Sequence, residues 1–186
     1  MKKSLGAKGE QFPQSVFIIA TYNEDGTADA MNAAWAGECG SDTIALNLGG
    51  HKTTQNIVKR GAFTVAPANR ANLESADYFG IATGNKVDKE RGCGLTFTRS
   101  ERVDAPVIEE YPLTMECELV SIDGDERGGR IVGRIVNVLA DESILDDEGR
   151  VDFGRMQPLV YDATRRIYRV VGEEAGGAWS AGRALM

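Results

Sequence analysis

The chain is predicted to be mainly β with a few short helices, an antiparallel barrel that is closed or nearly closed. Three observations predict it. Alternating or β-branched runs recur along the whole chain, the helical stretches are short, and 22 glycines among 186 residues mark frequent turns. No repeat, low-complexity tract or Pro-rich linker divides it, so residues 1–186 are read as one domain.

The elements follow in order. Val16 to Thr21 is a strand, and Asn23-Glu24-Asp25-Gly26 is a hairpin turn signal. A short return strand, about Ala28 to Met31, runs into a loop of small residues from Asn32 to Asp42 that carries Trp35. Thr43 to Leu48 is a third strand. Thr54 to Arg60 reads as a helix that stops at Gly61. Ala62 to Ala66 is a strand stopped by Pro67, and Leu73 to Phe79 a short helix ended by Gly80. Ile81 to Gly94 is polar and glycine-rich, an extended surface segment.

The second half is more plainly β. From Leu113 to Ile122, residues Leu113, Met115, Cys117 and Leu119 alternate with Thr114, Glu116, Glu118 and Val120. A turn over 124–129 leads to a long strand from Ile131 to Ala140. Branched apolar residues on both its faces predict a central position, with Ile131, Gly133, Ile135 and Asn137 sharing one face. Tyr168 to Val171 is the last strand, followed by a Gly-rich tail bearing Trp179.

Composition narrows the partners. A net charge of −7 argues against nucleic acid or an anionic membrane, both of which reward surplus Lys and Arg. The basic amino end is followed by no apolar signal core, and the run Val16–Ala20 is too short to span a bilayer. Cys39, Cys93 and Cys117 form no C-x-x-C pair and no zinc spacing, which fits reduced thiols in the cytoplasm. The acidic residues Asp141, Glu142 and Asp146 to Glu148 lack metal-loop spacing and read as a solvated turn. No metal site and no Ser-His-Asp, Cys-His or paired-carboxylate arrangement is expected, so no catalytic side chain is assigned.

The segment Gly49-Gly50-His51-Lys52-Thr53-Thr54-Gln55-Asn56-Ile57 is the most informative. A strand that breaks at paired glycines and enters a helix leaves backbone N–H groups free at the helix start, where the dipole suits an anion. Lys52 adds charge, Thr53 and Thr54 add hydroxyls, and His51 is the single histidine. This is a phosphate cradle without the Walker pattern. The alternative reading is an ordinary capped turn with a solvated lysine.

With these parts in order, the chain resembles the flavin reductase-like FMN-binding split β-barrel family, flavoredoxin type, over about residues 12–182. The residues that carry the resemblance are Asn32-Ala33-Ala34-Trp35, the block from His51 to Ile57, Gly61 to Val65, Glu74 to Gly80, Gly84 to Lys89 and Gln157 to Tyr161. The resemblance implies a split β-barrel homodimer with one FMN per subunit near the dimer interface. It implies that Asn32, Ala33, Ala34, Trp35 and Ala36 hold the ring edge, with Asn47 in the same site, and that Lys52 and Thr53, with His51, hold the phosphate. Asp77, Asn85 and Lys86 help to close the site and Trp179 covers the ring. The implied function is an FMN-dependent oxidoreductase, a flavin reductase or a flavoredoxin-like electron relay, supplied by NAD(P)H or a protein electron donor.

One departure bears on the donor. Relatives that accept pyridine nucleotides often carry a Gly-Asp-His turn before the long strand. Here the stretch is Gly124-Asp125-Glu126-Arg127-Gly128-Gly129-Arg130, without histidine. This raises a second reading, a non-enzymatic FMN-binding electron carrier served by a protein donor. A third is a flavin-free split-barrel dimer with a structural or ligand-binding role.

Overall fold

A computed structural model describes residues 1–9 and 11–186. Twelve strands are present among them: β1 Gln14–Ser15, β2 Phe17–Tyr22, β3 Ala28–Ala33, β4 Ala36–Glu38, β5 Thr43–Gly49, β6 Ala62–Pro67, β7 Phe97–Arg99, β8 Pro106–Ile108, β9 Leu113–Asp125, β10 Gly128–Ala140, β11 Leu159–Asp162 and β12 Ile167–Val170. Four α-helices join them: α1 Lys52–Arg60, α2 Leu73–Ile81, α3 Lys89–Cys93 and α4 Phe153–Met156.

Seven strands form one antiparallel sheet in the order β3-β2-β6-β9-β10-β5-β4. Its two edges, β3 and β4, are consecutive in the chain and joined only by Ala34 and Trp35. Three Cα steps reach at most about 11 Å. The sheet therefore has to curl until its edges face each other, which makes a barrel with a seam at Ala34–Trp35. A smaller sheet, β1-β11-β12, is separate from it.

Apolar side chains of six strands fill the barrel. Ile19, Ile44, Leu46, Phe63, Val65, Cys117 and Ile131 are fully buried there, capped by Ile57 of α1. A second core lies outside the barrel, where Val16, Ile18, Ala20 and Ala30 pack on Ala76 and Phe79 of α2 and on Leu159. Since β2 is buried on both faces, its sequence reads as a continuous apolar run. The central place predicted for the strand from Ile131 is observed, with β10 between β9 and β5. Its Gly133 is required by packing, because a Cβ there would lie 2.4 Å from the Phe63 ring.

Three local expectations are corrected. Gly80 does not end the second helix; α2 runs on to Ile81 with Gly80 inside it, against Asn32. The segment 81–94 is not wholly extended, because Asp88 accepts from Arg91 N and caps α3. Thr114 and Glu116, which alternate with the apolar residues of their strand, are themselves 2% and 1% exposed. The β7–β8 hairpin covers that face, anchored where Thr64 Oγ1 donates to Pro106 O at 2.6 Å. Asn137 does not share a face with Ile131, since a bulge between Ile135 and Asn137 reverses the alternation.

Candidate functional site at the barrel seam

The seam is built from the end of β3, the two linking residues and β4. Asn32 is half-buried and its Nδ2 donates to Ala76 O at 2.9 Å, fastening β3 to α2. The same amide reaches Tyr168 Oη at 3.4 Å, and Tyr168 donates to Asp77 Oδ1 at 2.9 Å. Burial, reinforced by the hydrogen bond to Asp77, pushes the Tyr168 phenol up to about 12. It therefore stays a protonated donor at neutral pH. Asn32, Asp77 and Tyr168 line a cleft of about 330 Å³ with Ala34, Trp35 and Gly80.

Trp35 is 47% exposed and also forms the wall of a neighbouring cleft of about 360 Å³. There it meets Ala36, Asn47 and Arg130. Asn47 N donates to Trp35 O at 2.8 Å, which ties the linking residues to β5. Arg130 is the register partner of Asn47 across β5 and β10. The two clefts thus share one aromatic partition, with an amide and an arginine on each side, Asn32 and Arg166 on one and Asn47 and Arg130 on the other.

β5 leads from Asn47 into α1 through Gly49 and Gly50. Gly50 needs to be glycine, because a Cβ there would lie 2.8 Å from the carbonyl oxygen of Arg127 in the β9–β10 turn. His51 is the N-cap, yet its side chain makes no cap hydrogen bond, and the first turn holds no acidic residue. The first helical bond is donated by Gln55 N to His51 O. Among the described residues, the N–H groups of Lys52, Thr53 and Thr54 meet no acceptor. This helix start therefore keeps unpaired N–H groups.

The side chains around it are arranged differently from the expectation. Thr53 is buried, and its hydroxyl donates to Asp29 Oδ2 at 2.7 Å instead of facing a ligand. Thr54 Oγ1 donates to Gly49 O. Lys52 Nζ donates to Gly84 O at 3.1 Å and shares a third cleft, of about 200 Å³, with Asn85, Lys86 and Asp29. Ala33 points into the barrel core. Trp179 is 96% exposed and lines none of these clefts. Of the residues singled out from the sequence, Asn32, Ala34, Trp35, Ala36, Asn47 and Asp77 gather at the seam. His51 and Lys52 stand at the helix start, with Asn85 and Lys86 beyond Lys52.

Sequence reasoning gave no site role to Tyr168 or Arg130, nor to Tyr161 and Gly80, although the last two lie in segments that carry the resemblance. Tyr161 and Tyr168 are register partners with ring centroids 5.8 Å apart. A tyrosine in each of two short late strands was the available signal. It also missed the buried pair below the third cleft. Lys89 Nζ donates to Ala30 O at 2.6 Å and Phe79 O at 3.3 Å and lies 3.8 Å from Asp29 Oδ1. Burial lowers the Lys89 pKa, while Asp29 opposes that shift.

This architecture has close relatives. The flavoredoxin of Desulfovibrio vulgaris (Miyazaki F) superposes with a TM-score of 0.92 at 39% identity, over 98% of this chain and 100% of that one. The flavoredoxin of Methanosarcina acetivorans gives 0.88 at 26% identity, over the whole of both chains. An uncharacterised protein of Bacillus subtilis is 27% identical, covering 94% of this chain and 91% of its own. The flavin reductase like domain matches residues 9–170, and the chain belongs to that family.

Proposed function

We propose that this protein is an FMN-dependent oxidoreductase that relays electrons through the bound flavin, as its likeness to flavoredoxins suggests. The observation that carries the reading is the continuity of β5. Asn47 stands in the seam, and four residues later the same segment presents the open N-terminus of α1. A flavin has a flat apolar body, a polar edge and an anionic tail. The seam supplies aromatic walls from Trp35, Tyr161 and Tyr168 and amides from Asn32 and Asn47. The helix start supplies unpaired N–H groups and Lys52. The donor set therefore fits FMN.

Bound FMN supplies the electron acceptance and release. The chain's own residues hold and shield it. Tyr168 fixes Asn32 and Asp77 relative to each other, and Trp35 gives both clefts an aromatic wall. The site is shallow on one chain, and Val120, Val136 and Val138 leave apolar side chains exposed on β9 and β10. Both features support a homodimer in which a second copy completes the enclosure. The β9–β10 turn lacks histidine to hold a nicotinamide nucleotide, which favours a protein donor over NAD(P)H.

One preparation tests these points. Purified protein supplied with FMN is expected to be yellow and to scatter light as a dimer. Its flavin is expected to bleach slowly and without clear saturation under anaerobic NADH or NADPH, and faster with a reduced protein donor. Colourless protein with no calorimetric FMN binding would overturn the flavin reading. A monomer mass with FMN bound would overturn the dimer. Rapid, saturable bleaching at micromolar NAD(P)H would make it a flavin reductase proper.

The phosphate assignment has its own test. Lys52→Ala removes a charge-assisted contact of about 1.5–3 kcal/mol, so FMN is expected to weaken roughly ten- to a hundredfold. Riboflavin, which lacks the phosphate, should bind both proteins equally. Thr53→Val is expected to weaken the two flavins alike, because its hydroxyl serves Asp29. An equal loss of both flavins in Lys52→Ala would move the phosphate elsewhere.

A further inference from the structure

A further cavity, of about 620 Å³, lies on the outer face of the β9–β10 ladder, walled by residues 98–112. Its floor is two cross-strand pairs, Thr114 opposite Leu139 and Glu116 opposite Asn137. The Glu116 carboxylate is buried and accepts hydrogen bonds from Ser100 Oγ and from Asn137 Nδ2 at 2.6 Å. Both donors are neutral. Among the described residues, no Lys, Arg or His lies within 4.0 Å of it as an ion-pair partner. A carboxylate taken out of water normally keeps a counter-charge.

Thr114 supplies an independent observation on the same floor. Its Oγ1 is the one buried side-chain oxygen or nitrogen with no hydrogen-bond partner among the described residues. Buried hydroxyls are rarely left so. A single group satisfies both residues: a cation that carries N–H donors. Ile108, Tyr111 and Leu139 give the cavity apolar walls, which suit a hydrocarbon stem. At the rim, Glu101, Glu109 and Asp141 outnumber Arg99 and Arg102, and Arg99 is already paired with Asp104 at 3.1 Å. The field at the mouth is therefore acidic. A bare divalent metal fits less well, because Glu116 is the only carboxylate on the floor and a hard cation takes several oxygens.

We propose that this cavity binds a small organic ammonium, its head on Glu116 and Thr114 and its stem against Leu139, Ile108 and Tyr111. The site is separate from the seam and stands whether or not the flavin reading does.

Calorimetry of the full-length protein at constant ionic strength tests it, with n-butylammonium and phenethylammonium chloride as probes. Saturable binding is expected for both, tighter for the aromatic stem. No binding is expected for 1-butanol or potassium chloride. Glu116→Gln keeps the shape of the side chain but removes its charge, and should weaken the ammonium roughly ten- to a hundredfold. The flavin spectrum and Tm of that variant should hold. Leu139→Trp fills the cavity with Glu116 intact and should remove binding; it decides the matter if Glu116→Gln does not fold. Absence of saturable ammonium binding to wild type, undiminished binding to either variant, or equal binding of 1-butanol overturns the proposal.

Discussion

Lys89→Met is expected to lower the stability of the fold by about 3–5 kcal/mol, the cost of removing one partner from a buried charge pair. Lys89 is 4% exposed and Asp29 2%. With the ammonium gone, Asp29 retains Thr53 as its hydrogen-bonding side chain, and Ala30 O and Phe79 O lose a donor. The loss should extend to the seam. Lys89 ties β3 to α2, and these carry Asn32 on one side of the cleft and Asp77 with Gly80 on the other. Denaturant unfolding of wild type, Lys89→Met, Asp29→Asn and the double variant measures the coupling. The double variant should be less destabilised than the sum of the singles, because it leaves no unpaired buried charge. Additive losses would mean that Lys89 acts through its two carbonyl contacts and the ion pair contributes nothing.

Lys89 also shows why part of the site could not be read from the sequence. Its segment is polar and glycine-rich, and a lysine there is normally solvated. It is buried because α3 folds under β3, a long-range contact that no local pattern encodes. Thr53 is a similar case. Its place after Lys52 suggests a phosphate ligand, but the first turn of α1 rotates its hydroxyl onto Asp29, twenty-four residues earlier. The legible features were those set by local chemistry. Gly61 ends α1 in the left-handed conformation (φ 68°) because helix ends favour glycine there. The doubly apolar β10 proved central, and β2 reads as a strand because it is buried on both faces. The alternation separated Thr114 and Glu116 from Met115 and Cys117, but their burial comes from the β7–β8 hairpin, which turns that face into an interior. The seam lay between these cases. Its residues Asn32 to Ala36 stood out as a small-residue stretch, whereas Tyr168 and Arg130 join them only through the strand register.

Gly80→Leu is expected to cost roughly a hundredfold or more in FMN affinity, about 2.7 kcal/mol, while leaving the fold intact. Gly80 lies inside α2, is exposed, and faces the seam cleft. A Cβ there would approach Asn32 Cβ at 3.4 Å, an ordinary contact, so a side chain can be added without moving the backbone. Replacing a helical glycine also removes backbone entropy from the unfolded chain, worth up to about 1 kcal/mol. The two effects run in opposite directions, and this makes the experiment informative. Gly80→Ala should raise Tm slightly and weaken FMN little, since one methyl group only touches Asn32. The longer leucine side chain extends from the same Cβ into the cleft between Asn32, Trp35 and Tyr168. Its Tm should be no lower than that of wild type, with flavin binding lost. Such a pairing separates blockage from misfolding, which a destabilising variant cannot do. If Gly80→Leu keeps its Tm and binds FMN as tightly as wild type, the ring does not occupy the cleft between α2 and the seam. The flavin would then have to lie on the Asn47 and Arg130 side of Trp35.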